Sequence, residues 1–163
     1  MGAHVRVAKV TNEGMHRKSA RTAGPGATVR LRIPPLPKYG KYVRERITAF
    51  GASRGIPQAD IEEFVGAISE ALANAIEHSG TKTVEVTCTI VRNERLIATV
   101  VDHGVGFSTD DVKICLPDPL AERGRGLPLM RRYTDLFSVK SAPSAGTAVT
   151  LERTLRHPVR IAG

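Results

Sequence analysis

Thiols, long apolar runs and aromatic rings are all scarce in this 163-residue chain, and each shortage removes a class of protein. The two cysteines, Cys88 and Cys115, are too few for a disulfide framework and lack metal-ligand spacing, so both are expected as reduced thiols in the cytosol. The longest apolar stretch, Leu96 to Val101, is interrupted by Thr99 and falls far short of the ~20 residues a membrane-spanning helix requires. The N-terminus has no apolar region of the signal-peptide kind, and Arg6 departs from a myristoylation pattern. Only seven residues are aromatic and no basic helix is evident, which argues against nucleic acid as a direct partner. Two nucleotide signatures are also missing. There is no G-x-x-x-x-G-K-[ST] phosphate loop and no His-Arg-Asp catalytic loop.

What is present is ordinary globular material, 41% apolar and 25% charged. The length suits one domain, which at this size buries about 70% of its unfolded surface and needs no covalent staple. The net charge of +8 is unevenly spread. Residues 1–32 hold seven Lys/Arg against one Glu, and residues 153–163 hold Arg153, Arg156 and Arg160 with no acid. Residues 33–152 are nearly neutral, with 14 basic and 15 acidic residues. The expected organisation is a basic, flexible extension over 1–27, a domain over 28–153 and a basic tail over 154–163. Alternation in His4-Val5-Arg6-Val7-Ala8 suits a short strand, but nothing near it in sequence offers to pair with it.

Within the domain, Thr28–Ile33 alternates as a strand and is stopped by Pro34-Pro35. A helix is expected from Lys38 to Phe50, and a second from Asp60 to Gly80. In the second, Asp60 and Glu63 have the spacing of a capping box, and Ile61, Phe64, Val65, Ile68, Leu72, Ala75 and Ile76 share one face. Two strands, Thr83–Val91 and Leu96–Val101, turn around Asn93-Glu94. After a polar loop from Asp102 to Arg125 comes a helix from Gly126, then a hairpin of Phe137–Ser141 and Thr147–Arg153. Helices gathered between antiparallel strand pairs indicate an α+β fold, a two-layer sandwich of a mixed, mainly antiparallel sheet and a helical layer.

Three clusters carry candidate chemistry. Glu70 and Asn74 stand four apart on the polar side of the second helix, so their side chains project together. A carboxylate beside an amide oxygen suits a divalent cation and a proton acceptor; a merely solvated face would carry the same residues. Asp102-His103-Gly104-Val105-Gly106-Phe107 follows an apolar strand, with Asp102 placed to accept a ligand N–H and the glycines free to let backbone approach closely. An ordinary turn explains this run equally well. Glu122-Arg123-Gly124-Arg125-Gly126-Leu127 opens a helix, where backbone N–H groups and the positive dipole end favour an anion. A plain glycine linker is the alternative.

Taken in order, Glu-x-x-x-Asn on a helix, Asp-x-Gly-x-Gly-Phe after a strand, Gly-x-Gly-Leu opening a helix and Gly146-Thr147 before a last strand resemble the GHKL ATPase set. That superfamily has the histidine-kinase-like ATPase fold and includes histidine-kinase ATP domains and gyrase. Within it the chain most resembles the small bacterial anti-sigma factor serine kinases of the RsbW/SpoIIAB type. The likeness is carried by Glu70 to His78, by Asp102 to Gly106, and by Gly126-Leu127-Pro128-Leu129-Met130 with Thr134-Asp135 after it.

The resemblance implies a Bergerat-type site for ATP and Mg²⁺. Asp102 would hold the adenine amino group with Thr147 nearby, and Asn74 would ligate Mg²⁺. Gly104, Gly106, Gly124, Gly126 and Leu127 would wrap the nucleotide, and Arg123 would meet the terminal phosphate. Glu70 would be the general base on a partner's serine or threonine hydroxyl. The partners implied are a sigma factor and a STAS-domain antagonist, with pairing as a homodimer through Leu31, Ile33 and Tyr42. The alternative is a non-catalytic switch in which ATP reshapes a docking surface. A sensor histidine-kinase fragment is disfavoured, since nothing before residue 28 has the heptads of a phosphoacceptor helix. The lid, 108–125, departs from the family in being short and in carrying Pro117 and Pro119; Pro128 sits in a first helical turn, where its missing N–H costs nothing.

Overall fold

Period-two patterning in the strands and a 3.6-residue stripe in the long helix leave each element one apolar side, and those sides meet in one interior. The computed structural model describes residues 4–9, 26–108 and 126–156. Their order is β1 (His4–Lys9), β2 (Thr28–Ile33), α1 (Tyr39–Ser53), α2 (Gln58–His78), β3 (Val84–Val91), β4 (Arg95–Asp102), α3 (Gly126–Tyr133), β5 (Leu136–Ala142) and β6 (Gly146–Thr154). The sheet runs β1-β5-β6-β4-β3-β2, antiparallel throughout except for the parallel β1–β5 pair.

In β3, Val84, Val86, Cys88 and Ile90 are buried, and in β4 Leu96, Ala98 and Val100. Their alternate neighbours Glu85, Thr87, Ile97 and Thr99 stand half-buried on the other face. There Thr87, Thr99, Thr150 and Ser138 share one register row, a polar surface that needs no second layer. The helices cover the apolar face. Ile61, Phe64, Val65, Ala67, Ile68, Ala71, Leu72 and Ala75 of α2 are buried in the core. Wholly burying a side chain such as Phe64 stabilises the fold by about 1.5–3 kcal/mol. α1 packs closely on α2, since a Cβ on Gly51 would fall 2.5 Å from Ile61 Cδ1. The β3–β4 turn puts Arg92 and Asn93 at φ 51° and 58°, the left-handed pair that matches strand twist.

Several expectations need correction. The 1–27 stretch is not wholly an unpaired extension, because His4–Lys9 forms β1 on the far edge of β5, Val5 opposite Phe137 and Val7 opposite Val139. Its partner lies more than 120 residues away, out of reach of any local pattern. The Asp60–Glu63 capping box does not form. Pro57 precedes the helix with extended backbone and α2 begins at Gln58, so Asp60 lies inside its first turn, 1% exposed and drawn to Arg153. The 154–163 tail is not wholly separate from the domain: Leu155 is buried in the core, and Arg156 joins Arg153 in pairing with Asp60 and Glu63. Ile33 is buried, Leu31 is half-buried against the same core, and Tyr42 is 46% exposed.

Candidate functional site

The Asp102–Phe107 loop is held between the end of α2 and the β5–β6 hairpin. The Ser79 carbonyl accepts the Val105 N–H at 2.8 Å, and the Val105 carbonyl accepts the Ser144 N–H at 2.7 Å. Thr81 Oγ1 accepts the His103 N–H at 3.3 Å. Ser141 Oγ accepts the Phe107 N–H at 3.0 Å. Three glycines permit this packing. A Cβ on Gly104 would lie 1.8 Å from the Ser79 carbonyl oxygen, and one on Gly106 would lie 2.0 Å from that of Ala142. Gly146 would clash with the Asp102 carbonyl, and both it and Gly106 have positive φ. The atoms that most closely crowd Gly104 and Gly106 belong to the chain's own backbone, and the positive φ of Gly106 suits the turn that the sequence also allows.

This frame fixes Asp102. It ends β4, 4% exposed, and faces Thr147 in the β4–β6 register. Its Oδ1 accepts the Gly104 N–H at 2.9 Å. Among the described residues its second oxygen has no protein donor, which leaves an acceptor for a bound group. Ser141 gives its only proton to the Gly146 carbonyl at 3.0 Å, so in the 2.9 Å Ser141–Thr147 contact Thr147 is the donor. The Thr147 lone pairs then remain available beside Asp102. Val105 and Phe107, 64% and 40% exposed, give the same loop an apolar surface.

Glu70 and Asn74 lie one turn apart on the side of α2 away from its buried stripe, Glu70 half-buried and Asn74 exposed. α3 packs on α2, with the Tyr133 ring 3.7 Å from a Cβ built on Gly66. β4 and β5 are parallel, both being antiparallel to β6, so α3 returns the chain from the Asp102 end of the sheet to the start of β5. It therefore runs opposite to α2. The start of α3 accordingly lies toward the end of α2 that carries Asn74, and Tyr133 toward the end that carries Asp60. Asn74, Asp102, Gly104, Gly106, Thr147 and the Gly126-Leu127 backbone thus gather at one end of the domain. Arg123 and Gly124 lie outside the described residues.

Residues 33–153 match the family model of the histidine kinase-like ATPase domain. The chain belongs to that family. Among relatives of this ATPase domain, the serine-protein kinase RsbW of Bacillus velezensis is 30% identical over 133 residues, 75% of this chain and 83% of that protein. The anti-sigma F factor of Bacillus licheniformis is 27% identical over 77% of this chain and 90% of that protein. In shape the ATPase domain is similar to the crystal structure of RsbU and RsbW domains from Mycobacterium tuberculosis, with a TM-score of 0.61 at 20% identity. That match covers 85% of this chain and about a third (35%) of the other. A histidine kinase domain from Erythrobacter litoralis gives 0.51 at 21% identity over 76% of this chain and 62% of that one. These likenesses support the α+β sandwich expected from the sequence.

Sequence reasoning missed Ser79, Thr81 and Ser141, which fasten the Asp102 loop, and the role of Arg153. Small hydroxyl residues at element ends were the available signal, but such residues are common at any turn.

Proposed function

We propose that the ATPase domain binds ATP with Mg²⁺, sequesters a sigma factor and phosphorylates a serine or threonine of a STAS-domain antagonist, in the cytoplasm. The observation that carries this reading is the placement of Asn74 at the same end of the domain as Asp102 and the start of α3, with Glu70 one turn before it on α2. The donor set fits the nucleotide. An adenine amino group is an N–H donor and matches Asp102, while Val105 and Phe107 offer apolar contact to a base. Among the described residues no three His, Cys, Asp or Glu side chains cluster as a metal cage. That suits Mg²⁺, which keeps several waters and binds through few protein ligands plus phosphate oxygens. When bound, the ion neutralises phosphate charge.

The chain's own part is positional. Asn74 would present its amide oxygen to the ion, and the Gly126 and Leu127 N–H groups at the start of α3 would favour phosphate oxygens. Glu70 takes the proton from the attacking hydroxyl. Arg123, Gly124 and Leu127 complete the phosphate side in this proposal. Pairing of two copies is also part of it, with Tyr42 and Leu36, each 46% exposed, as the apolar contacts.

The test uses native lysate with labelled MgATP and either wild-type protein or Glu70→Gln. A small protein labelled only by wild type is expected. Nucleotide binding by both proteins, with no labelled band, would refute the kinase and favour an ATP-dependent switch.

A further inference from the structure

At the opposite end of α3 from the candidate site lies a buried ionic cluster. Arg153, 7% exposed on β6, donates through Nε and Nη2 to Asp60 Oδ1 at 3.3 and 2.8 Å. Nη2 also reaches Glu63 Oε2, and Nη1 donates to the Tyr133 carbonyl at 3.0 Å. The other Asp60 oxygen accepts the Arg156 N–H at 3.3 Å. One planar guanidinium therefore joins the first turn of α2, the last residue of α3 and the end of β6.

Replacing such a pair with apolar groups of similar volume is often neutral or stabilising, so net stability is a weak reason for its presence. Geometry is a stronger one. α3 has eight residues, too few to persist alone, and its last carbonyls have no helical partner. Arg153 supplies a donor to the Tyr133 carbonyl. Buried Met130 and the Thr134 hydroxyl bonded to its carbonyl at 2.5 Å secure the same end. Whatever sets the angle of α3 on α2 at Tyr133 also sets where Gly126 stands relative to Asn74.

We propose that Arg153 is a positioning residue for nucleotide binding, holding α3 so that the amides at its start meet the phosphates beside Asn74. This rests on the ATP reading above. Arg153→Lys in the full chain separates pinning from charge, because lysine keeps the charge but has one nitrogen in place of the separate Nη1 and Nη2 that reach the Tyr133 carbonyl and the two acids. MgATP affinity is expected to fall about tenfold, the worth of roughly one charge-assisted hydrogen bond. Adenosine, which engages only the Asp102 side, is expected to bind within twofold of wild type. Amide exchange in 126–133 should quicken while that of α2 holds. Arg156→Gln, which alters the cluster without touching Tyr133, should leave both affinities within twofold.

Unchanged MgATP affinity despite faster α3 exchange would overturn the proposal, as would an equal loss for adenosine and MgATP, or an equal loss in Arg156→Gln. Should Arg153→Lys fail to fold, the apolar pair Asp60→Leu with Arg153→Met removes the charges together and is expected to show the same split. Wild-type protein that binds no MgATP refutes the ATP reading first, in an arm that contains no variant, and the proposal with it.

Discussion

Gly104→Ala is the substitution that decides whether the glycines of the Asp102 loop serve the ligand or the fold. A methyl at residue 104 would stand 1.8 Å from the Ser79 carbonyl oxygen and 2.5 Å from its carbon. Both are backbone atoms at the end of α2, so no side-chain rotation relieves the contact. Either the loop lifts or the helix end retreats, and in both cases the 2.8 Å bond from the Val105 N–H to Ser79 is lost. Overpacking of this kind costs about 1–3 kcal/mol and the hydrogen bond about 1 kcal/mol, so a total near 3 kcal/mol is expected.

Urea unfolding without nucleotide is the appropriate assay, because it contains no ligand whose loss could be mistaken for instability. At an unchanged slope the midpoint should fall by roughly 1–3 M, given slopes of about 1–3 kcal/mol/M for small domains. A variant with wild-type midpoint but weakened ATP binding would refute this reasoning and return Gly104 to the ligand.

Two further predictions concern groups away from the nucleotide. Burial alone pushes the Glu63 carboxyl up, but hydrogen bonds and charge from Arg153 and then Arg156 outweigh it and hold the group below its ordinary 4.5. A folded value below the unfolded one means Glu63 contributes stability above pH 4.5 that disappears as pH falls through the depressed value. The difference in urea midpoint between wild type and Glu63→Gln should therefore hold from neutral pH down to mildly acidic pH and close below it; a gap that widens in acid would contradict the ion-pair assignment. Burial pushes the Cys88 thiol up to about 12, among Ile47, Phe50, Ile61 and Phe64. In a Cys115→Ser background it should resist a thiol-disulfide reagent at pH 8 until urea is added, and prompt labelling of native protein would show that this part of the core opens.

Legibility in the sequence followed the range of the interaction. The apolar stripe of α2, the alternation of β3 and β4 and the Asp102–Thr147 neighbourhood were readable because each is written in local periodicity or in ordered motifs. Two mistakes share the opposite cause. Asp60 and Glu63 have the spacing of a cap, but their partner Arg153 stands 93 and 90 residues away and draws both carboxylates off the helix start. His4–Lys9 has the alternation of a strand, but only the placing of β5 at an open edge makes it one. Charge counting shares the limit, since it cannot show that Arg153 and Arg156 pair with buried and half-buried acids.

The glycines show how one pattern can answer to two causes. The contacts that exclude a Cβ on Gly104 and Gly106 come from Ser79 and Ala142, whose carbonyls the loop approaches as it passes between α2 and the β5–β6 hairpin. That packing is also what holds Asp102, with one oxygen on the Gly104 N–H and the other without a donor among the described residues. A loop free enough to wrap a ligand by itself would leave the Asp102 carboxylate to find its own rotamer. The packed loop presents it already oriented, so a group that binds there, as proposed, would meet an acceptor whose ordering cost was met in folding.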